Sequence, residues 1–333
     1  MEAFKYNPGR GVRIPEIDLK NARYMDEVES ELLQVISGSS GAIYEMCMHI
    51  LKAGGKRLRP LLVIQSGLVF GSISKQLVKA AAAAELIHMA SLVHDDIIDK
   101  SDMRRGKISV NKKWGNHFSV LCGDYLFAQA FSTLSANNLV PGLKLMLEAI
   151  QDMCHGEILQ ADGRFKTDTS IKEYYEKIAK KTAIFIGRCC ESGAAVCGAD
   201  ALYLKALGDY GLNLGYAFQI VDDVLDLCGN TDVMGKPKME DLRLGNLTLP
   251  LILLLRSGKY GRWLKEIIDS RNFTNEELNR IPYALKDSGV LEESLGIASM
   301  HAEKAKACLK LFPESESINF LCNLSEMLKF RVN

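Results

Sequence analysis

Apolar residues recur at helical spacing along most of the chain, and almost nowhere do they alternate with polar ones. Met25, Val28, Leu32 and Val35 form a first stripe, which Gly38-Ser39-Ser40-Gly41 ends. Ile43–Ala53 reads as the next helix and closes on Gly54-Gly55. Leu61–Phe70 and Lys79–Asp99 follow, the second opening on the run Ala80–Ala84. Alanine is the best helix former, and a face of small residues lets a neighbour come close. Val120–Leu134 and Leu143–Asp162 have the same period, and Ser170-Ile171-Lys172-Glu173 spells a capping box. The helix it opens runs through Tyr174, Tyr175 and Ile178 toward Ile186. Gly208–Asp226 is a further long helix, in which Gly211 and Gly215 permit tight packing. Leu249–Leu255 begins a last third of several helices reaching Phe330. Residues 1–22 are polar and hold two of the eight prolines, which predicts an extended lead-in. Asn137–Gly142, Arg164–Thr169 and Gly229–Leu247 read as loops, the last rich in Gly and charge and suited to a lid. Without period-2 segments or repeats, the pattern predicts one all-α domain over residues 1–333.

Two places break the apolar pattern with acids. Leu92-Val-His-Asp-Asp-Ile-Ile-Asp-Lys-Ser-Asp-Met-Arg-Arg-Gly106 carries four carboxylates and two arginines out of a run that reads as buried helix. Asp95 and Asp99 are four apart, so they share a helix face at roughly 5–6 Å. Carboxylates that close repel unless a cation lies between them. Oxygen ligands on a rigid helix suit Mg²⁺, which takes its remaining oxygens from water and phosphate. Arg104 and Arg105 follow at once, and Arg matches phosphate in a bidentate fork. Gln219-Ile-Val-Asp-Asp-Val-Leu-Asp226 repeats the arrangement, with Asp222 and Asp226 again four apart. A solvated helix end explains the first cluster alone, but not its repetition. If the two helices face each other, they hold metal ions from both sides.

Cations gather near these acids although the chain is neutral overall, with 41 Lys+Arg against 41 Asp+Glu. That balance argues against bulk nucleic-acid binding and fits small anionic ligands. Gly54-Gly55-Lys56-Arg57-Leu58-Arg59-Pro60 reads as a turn into a helix with Pro at its first position, where backbone N–H groups face an anion. Lys56 and Arg59 are three apart and co-facial, although a solvated basic turn has the same composition. His88 lies two turns before Asp95 on the same face. Phe127 and Phe131 also share a face, as core packing or as the wall of a cavity. The nine cysteines show no zinc-site spacing, and several sit in apolar helical runs, which reads as reduced, intracellular thiols. The N-terminal residues lack the apolar core of a signal peptide, and no apolar run reaches the length of a membrane span.

With these motifs the chain resembles the all-trans polyprenyl diphosphate synthases, from about Glu27 to Arg331. The resemblance rests on Gly54–Pro60, both aspartate motifs, Arg104-Arg105-Gly106, Lys181-Thr182, Phe218-Gln219, Gly235-Lys236-Pro237 and Thr248-Leu249-Pro250. It implies a large helical bundle with a central active-site cavity and Mg²⁺-dependent joining of isopentenyl diphosphate to an allylic diphosphate. It implies that Asp95, Asp99 and Asp222 hold Mg²⁺, two or three ions in all, with Asp226 a supporting or third-metal residue. Asp96 and Asp223 then orient their neighbours. By the same resemblance Lys56, Arg59, His88 and Arg105 hold isopentenyl diphosphate, with Arg57 facing elsewhere. Arg104, Lys181 and Lys236 take the allylic diphosphate, and Thr182 and Gln219 lie by the developing cation, Gln219 offering its amide oxygen. Lys180 is left as surface. The released pyrophosphate takes the proton, so no protein base is needed. Met239 and Asn246 depart from the family's usual Gly and Lys, which leaves the phosphate contacts of that loop open.

Product length follows from geometry. The chain grows from Asp95 toward the N-terminus of its helix, one turn rising about 5.4 Å, close to one isoprene unit. Ala90 and Ser91 are small and leave that path open, so the expected product has about six to eight units at that rise, with Phe127 and Phe131 as candidates for the floor. A terpene cyclase would carry an Asn/Ser/Glu pattern at the second site, which is not found here. A homodimer is the expected assembly by resemblance. Some relatives work as two unlike chains, and this one, keeping every motif, would be the catalytic partner.

Overall fold

The computed structural model describes residues 19–228 and 239–328. Helix α1, Leu19–Ser37, lays Val28, Leu32 and Ile36 into the core. Its first turn lies inside the stretch expected to be extended; residues 1–18 fall outside the described part. Helices α2 (Gly41–Lys52) and α3 (Leu58–Leu68) flank the glycine turn. Arg57 caps α3 in the left-handed region (φ 49°), so Pro60 is the third helical residue, not the first. The turn is set by Arg57, whose guanidinium is anchored on Glu29 and Glu85 at 2.5 and 2.7 Å.

Helix α4, Lys75–Ile98, starts where Ser74 Oγ accepts from Leu77 N–H at 3.2 Å and runs through the middle of the fold. Ala80–Ala84 are fully buried, because α4 is enclosed by α3, by α6 (Asn116–Ala136) and by α9 (Ile184–Val196). At 24 residues α4 is long and apolar enough to cross a membrane, contrary to the expectation that no run reaches that length; its surroundings are protein. α6 runs antiparallel to it. Lys79 Nζ donates to Asn137 Oδ1 at 2.8 Å at one end, and His94 lies against Gly123 at the other.

After α4 the chain makes a two-residue antiparallel pair, Met103–Arg104 with Lys107–Ile108, where no strand was expected. Arg105 and Gly106 form its turn with φ of 53° and 73°. A short α5 (Val110–Trp114) leads into α6, and α7 spans Val140–Asp162. The expected capping box opens α8, Ile171–Ile178. A single π turn, Ala179–Ala183, then joins it to α9. α10, Ala201–Cys228, packs on α9 with the backbone closeness expected of its glycines. A Cβ on Gly215 would lie 2.5 Å from Ala183 Cα. Beyond it come α11 (Glu240–Arg243), inside the segment expected to be loop, and α12 (Leu249–Leu255). The last four are α13 (Gly261–Ser270), α14 (Asn275–Asp287), α15 (Val290–Cys308) and α16 (Glu316–Met327). The all-α expectation holds, as one large helical bundle. One apolar cluster centres on α3, α4, α6 and α9, and a second lies under α8 and α12–α15; α10 contributes to both.

Candidate active site

The first aspartate motif ends α4. Asp99 is the C-cap residue, its N–H donating to Asp95 O at 2.8 Å. The two carboxylates do different things. Asp99 Oδ1 accepts from Arg164 Nη2 at 2.8 Å. Asp95 is pushed up to about 6 by burial, with Lys181 pulling the other way and Glu157 and Asp99 adding to the rise. Asp96 is buried and accepts from Arg104 Nε at 2.8 Å, and Arg104 Nη2 binds the same oxygen. Asn111 Nδ2 donates to Asp96 O at 3.2 Å, tying the following loop back to the helix end. The Asp96 side chain is thus engaged by Arg104.

The hairpin turn sends the two arginines apart. Arg104 goes to Asp96, while Arg105 lies over the glycine turn, where a Cβ on Gly55 would be 2.7 Å from its Cζ. That brings Arg105 beside half-buried Lys56. Arg59 Nη1 meets His88 Nε2 at 3.1 Å and its guanidinium lies 5.3 Å from the Phe185 ring centre. Arg59 and His88 are thus in contact, with the charge of Arg105 felt at His88 and Lys56 next to the glycine that Arg105 covers. Burial and the charges of Arg59, Arg105 and Arg104 hold His88 well below its ordinary value, so the ring is neutral and accepts from Arg59. Arg105 is pushed down to about 10, first by burial and then, against the pull of Glu85, by Arg57, Arg104 and Arg59. Such a concentration of cation matches a polyanion. Arg57 faces away, onto Glu29 and Glu85.

The π turn carries the groups between the two motifs. Its extra residue lets Lys180 and Lys181 both address α7. Lys180 Nζ is 3.9 Å from Asp152 and Lys181 Nζ is 2.5 Å from Glu157. Lys180 is therefore half-buried and partnered rather than surface. Lys181 is also drawn by Asp95 and Asp99, which keep it charged despite burial. On the other side Thr182 Oγ1 donates to Gln219 Oε1 at 2.9 Å. The amide oxygen expected to face a cation is thus engaged by Thr182, and Gln219 Nε2 donates to Asp223 at 2.9 Å. Tyr174 Oη donates to the other oxygen of Asp223 at 2.7 Å. Asp223 is buried and pushed up to about 7 by burial and by Asp241. Asp222 is exposed on the same helix. Asp226 is raised by burial and by the neighbouring acids Asp241, Asp222 and Asp223. Lys177 donates to Leu247 O at 3.1 Å, and burial pushes its ammonium down against the pull of Asp223 and Asp241.

Among the described residues no three His, Cys, Asp or Glu side chains converge into a cage. The donor set nonetheless fits a hard divalent cation. Asp226 Oδ2 is buried without a hydrogen-bond partner among the described residues, and Asp95 and Asp226 are desolvated acids beside other acids. One or two carboxylates plus substrate oxygens are what Mg²⁺ uses. Lys236 lies outside the described residues. Ala90 is fully buried, and Ser91 Oγ is turned back onto His88 O at 2.9 Å. Phe127 and Phe131 are stacked at 6.4 Å, half-buried, and the α4–α6 register carries them alongside Ala90 and the alanine run. Sequence reasoning assigned no site role to Glu157, Arg164, Tyr174 or Lys177. For Glu157 the available signal was the preceding Gly156, where a Cβ would lie 2.5 Å from Lys181 N.

The chain thus carries two acid clusters on separate helices, with half-buried Lys181 drawn to the first and a group of basic residues near it. Residues 40–285 match the polyprenyl synthetase family, and the chain belongs to it. It is a prenyltransferase. It is 34% identical over 305 residues to heptaprenyl diphosphate synthase component 2 of Bacillus subtilis, covering 91% of this chain and 87% of that one. It is 33% identical over 303 residues to octaprenyl diphosphate synthase of Haemophilus influenzae, covering 90% and 92%. Among solved structures it is similar to a polyprenyl synthase from Caulobacter crescentus complexed with calcium and isoprenyl diphosphate. There the TM-score is 0.90 and the identity 35%, over 98% of this chain and 100% of that one.

Proposed function

We propose that the chain is a trans-polyprenyl diphosphate synthase that joins isopentenyl diphosphate head-to-tail to an allylic diphosphate and makes products of about six to eight isoprene units, at one unit per helical turn. The observation that carries this is Lys181, drawn by Asp95 and Asp99 while its neighbour Thr182 bonds Gln219 on the second-motif helix. Asp95, Asp99, Asp222 and Asp226 would hold Mg²⁺, roughly two or three ions shared with the substrate phosphates. When bound, Mg²⁺ neutralises charge on the departing pyrophosphate. Arg104, kept in place by Asp96, and Lys181 bind the allylic diphosphate together with Lys236. Lys56, Arg59, neutral His88 and Arg105 fix isopentenyl diphosphate, and positioning of its double bond against the allylic carbon supplies much of the rate. Thr182 and Gln219, locked to each other, keep dipoles beside the developing cation. Arg59 donates into His88 and leaves it no free base lone pair, which favours the departing pyrophosphate as proton acceptor.

The names of the heptaprenyl, octaprenyl and decaprenyl relatives support a medium or long product. The shared use of α10 by both apolar clusters supports a single domain over residues 1–333. A homodimer in the cytoplasm is the assembly and location that fit this reading. The word "component" in the Bacillus subtilis relative's name favours one alternative, a catalytic subunit that needs a second chain. Purified protein with Mg²⁺, labelled isopentenyl diphosphate and farnesyl diphosphate, followed by sizing of the dephosphorylated products, tests all of this. A ladder ending at about six to eight units agrees with the open helix path. Products of three or four units would keep the reaction and refute the length. Failure of the lone chain with every primer, reversed by a partner protein, would establish the two-chain reading.

A further inference from the structure

Lys181 does not wait for substrate unpaired. Its Nζ is 2.5 Å from Glu157 Oε2, and the other oxygen of Glu157 accepts from Gln160 Nε2 at 3.2 Å. The pair is held by backbone, because α7 and the π turn touch at Gly156, one residue before Glu157. Glu157 is only 15% exposed, and its charge is felt by Asp95. A diphosphate bound at Asp95 and Asp99 would therefore compete with Glu157 for the same ammonium, and would also meet a like charge. We propose that Glu157 is a positioning residue that exchanges Lys181 with the diphosphate, taking the ammonium back as pyrophosphate leaves and so promoting product release. This rests on the reading of the site as a prenyl-transfer centre.

The exchange makes a prediction opposite in sign to ordinary damage. In Glu157→Gln the shape remains while the competing charge is lost. Inorganic pyrophosphate should then bind the Mg²⁺-containing enzyme roughly fivefold tighter, about 1 kcal/mol at tenfold per 1.4 kcal/mol. Turnover should show KM for the allylic diphosphate and kcat both falling, because substrate binds better and product leaves more slowly. Calorimetric titration of pyrophosphate into wild type, E157Q, Lys181→Met and the double variant isolates the exchange. Most of the gain should vanish in the Lys181→Met background. Unchanged or weaker pyrophosphate binding by E157Q, a rise in KM, or the full gain persisting in Lys181→Met would overturn the proposal. Should E157Q fail to fold, Glu157→Asp withdraws the charge by one methylene and is read the same way, with a smaller gain. Wild type that does not bind Mg²⁺-pyrophosphate would instead sink the functional reading itself, and this inference with it.

Discussion

Asp95 and Asp223, at about 6 and 7, take up protons on folding that they would release in the unfolded chain. Asp226 is raised as well. A carboxyl raised by folding stabilises the protein below its unfolded value, near 4, and that contribution is lost as pH rises through the folded value. Metal-free protein should therefore lose thermal stability between about pH 5 and pH 8 through these acids. Mg²⁺ with pyrophosphate should raise the melting temperature more at pH 8 than at pH 6, since it binds the deprotonated form. Scanning fluorimetry across that range checks both. A metal-free midpoint that climbs toward pH 8, or a Mg²⁺ shift indifferent to pH, would refute the account. Arg57 tests a different kind of charge. It is 8% exposed and neutralises Glu29 and Glu85, so Arg57→Ala takes away the ion-pair partner of buried Glu85 and should cost about 3 kcal/mol or more in chemical denaturation. The aspartates were legible in sequence because both members of each pair lie on one helix turn. Glu157, Arg164 and Tyr174 were not, because their partners Lys181, Asp99 and Asp223 lie 24, 65 and 49 positions away.

The π turn shows how an element can place chemistry that its residues do not announce. Lys180-Lys181-Thr182 enter the apolar run Ala183–Ile186, an unusual composition for a core helix. The added residue explains it, turning two lysines to α7 and the threonine to α10. Such bulges inside helices are frequent at functional sites. Gly156 makes room for it: a side chain there would press on Lys181 N and Cα at 2.5 and 2.8 Å. Gly156→Ala should displace Lys181 and lower kcat about 10- to 100-fold, the scale set by sub-ångström to 1 Å misplacement. Gly296→Ala is the matching control, since a Cβ there meets nothing within 4 Å. It should stabilise α15 by about 0.5–1 kcal/mol and leave turnover alone. Steady-state kinetics beside thermal melts separate the two. Equal effects from both substitutions would mean that the close approach at Gly156 is not what fixes the lysine. The helices themselves followed from apolar periodicity and the Ser170–Glu173 capping box. The hairpin at Met103–Ile108 escaped that reading because a two-residue strand has no period to detect.

For the whole molecule, the question is where a growing chain goes. α4 carries the first motif at one end and fully buried alanines at the other, and α6 lies antiparallel beside it. A product leaving Asp95 along this pair would pass Ser91 and Ala90, with the stacked rings of Phe127 and Phe131 on the facing helix, Phe127 against His94. Sequence alone identified the small residues on α4. It could not decide whether the two phenylalanines pack or obstruct, because that depends on the helix–helix register, which His94 at Gly123 and Lys79 at Asn137 set. With that register, two substitutions act in opposite directions. Ser91→Phe puts a ring in the path about one turn from Asp95, so the product should stop several units short. Phe127→Ala removes a candidate floor, a ring 5.7 Å from that of His94, and should lengthen the longest product by one or more units, each unit matching roughly one 5.4 Å turn. Both are read by chromatography of the dephosphorylated prenols under identical primer and Mg²⁺. Shortening by the first with no lengthening by the second would keep the path along α4 and move the floor beyond Phe127. If neither changes the distribution, the chain does not grow between α4 and α6, because a ring beside the first motif cannot be ignored by a product that passes it.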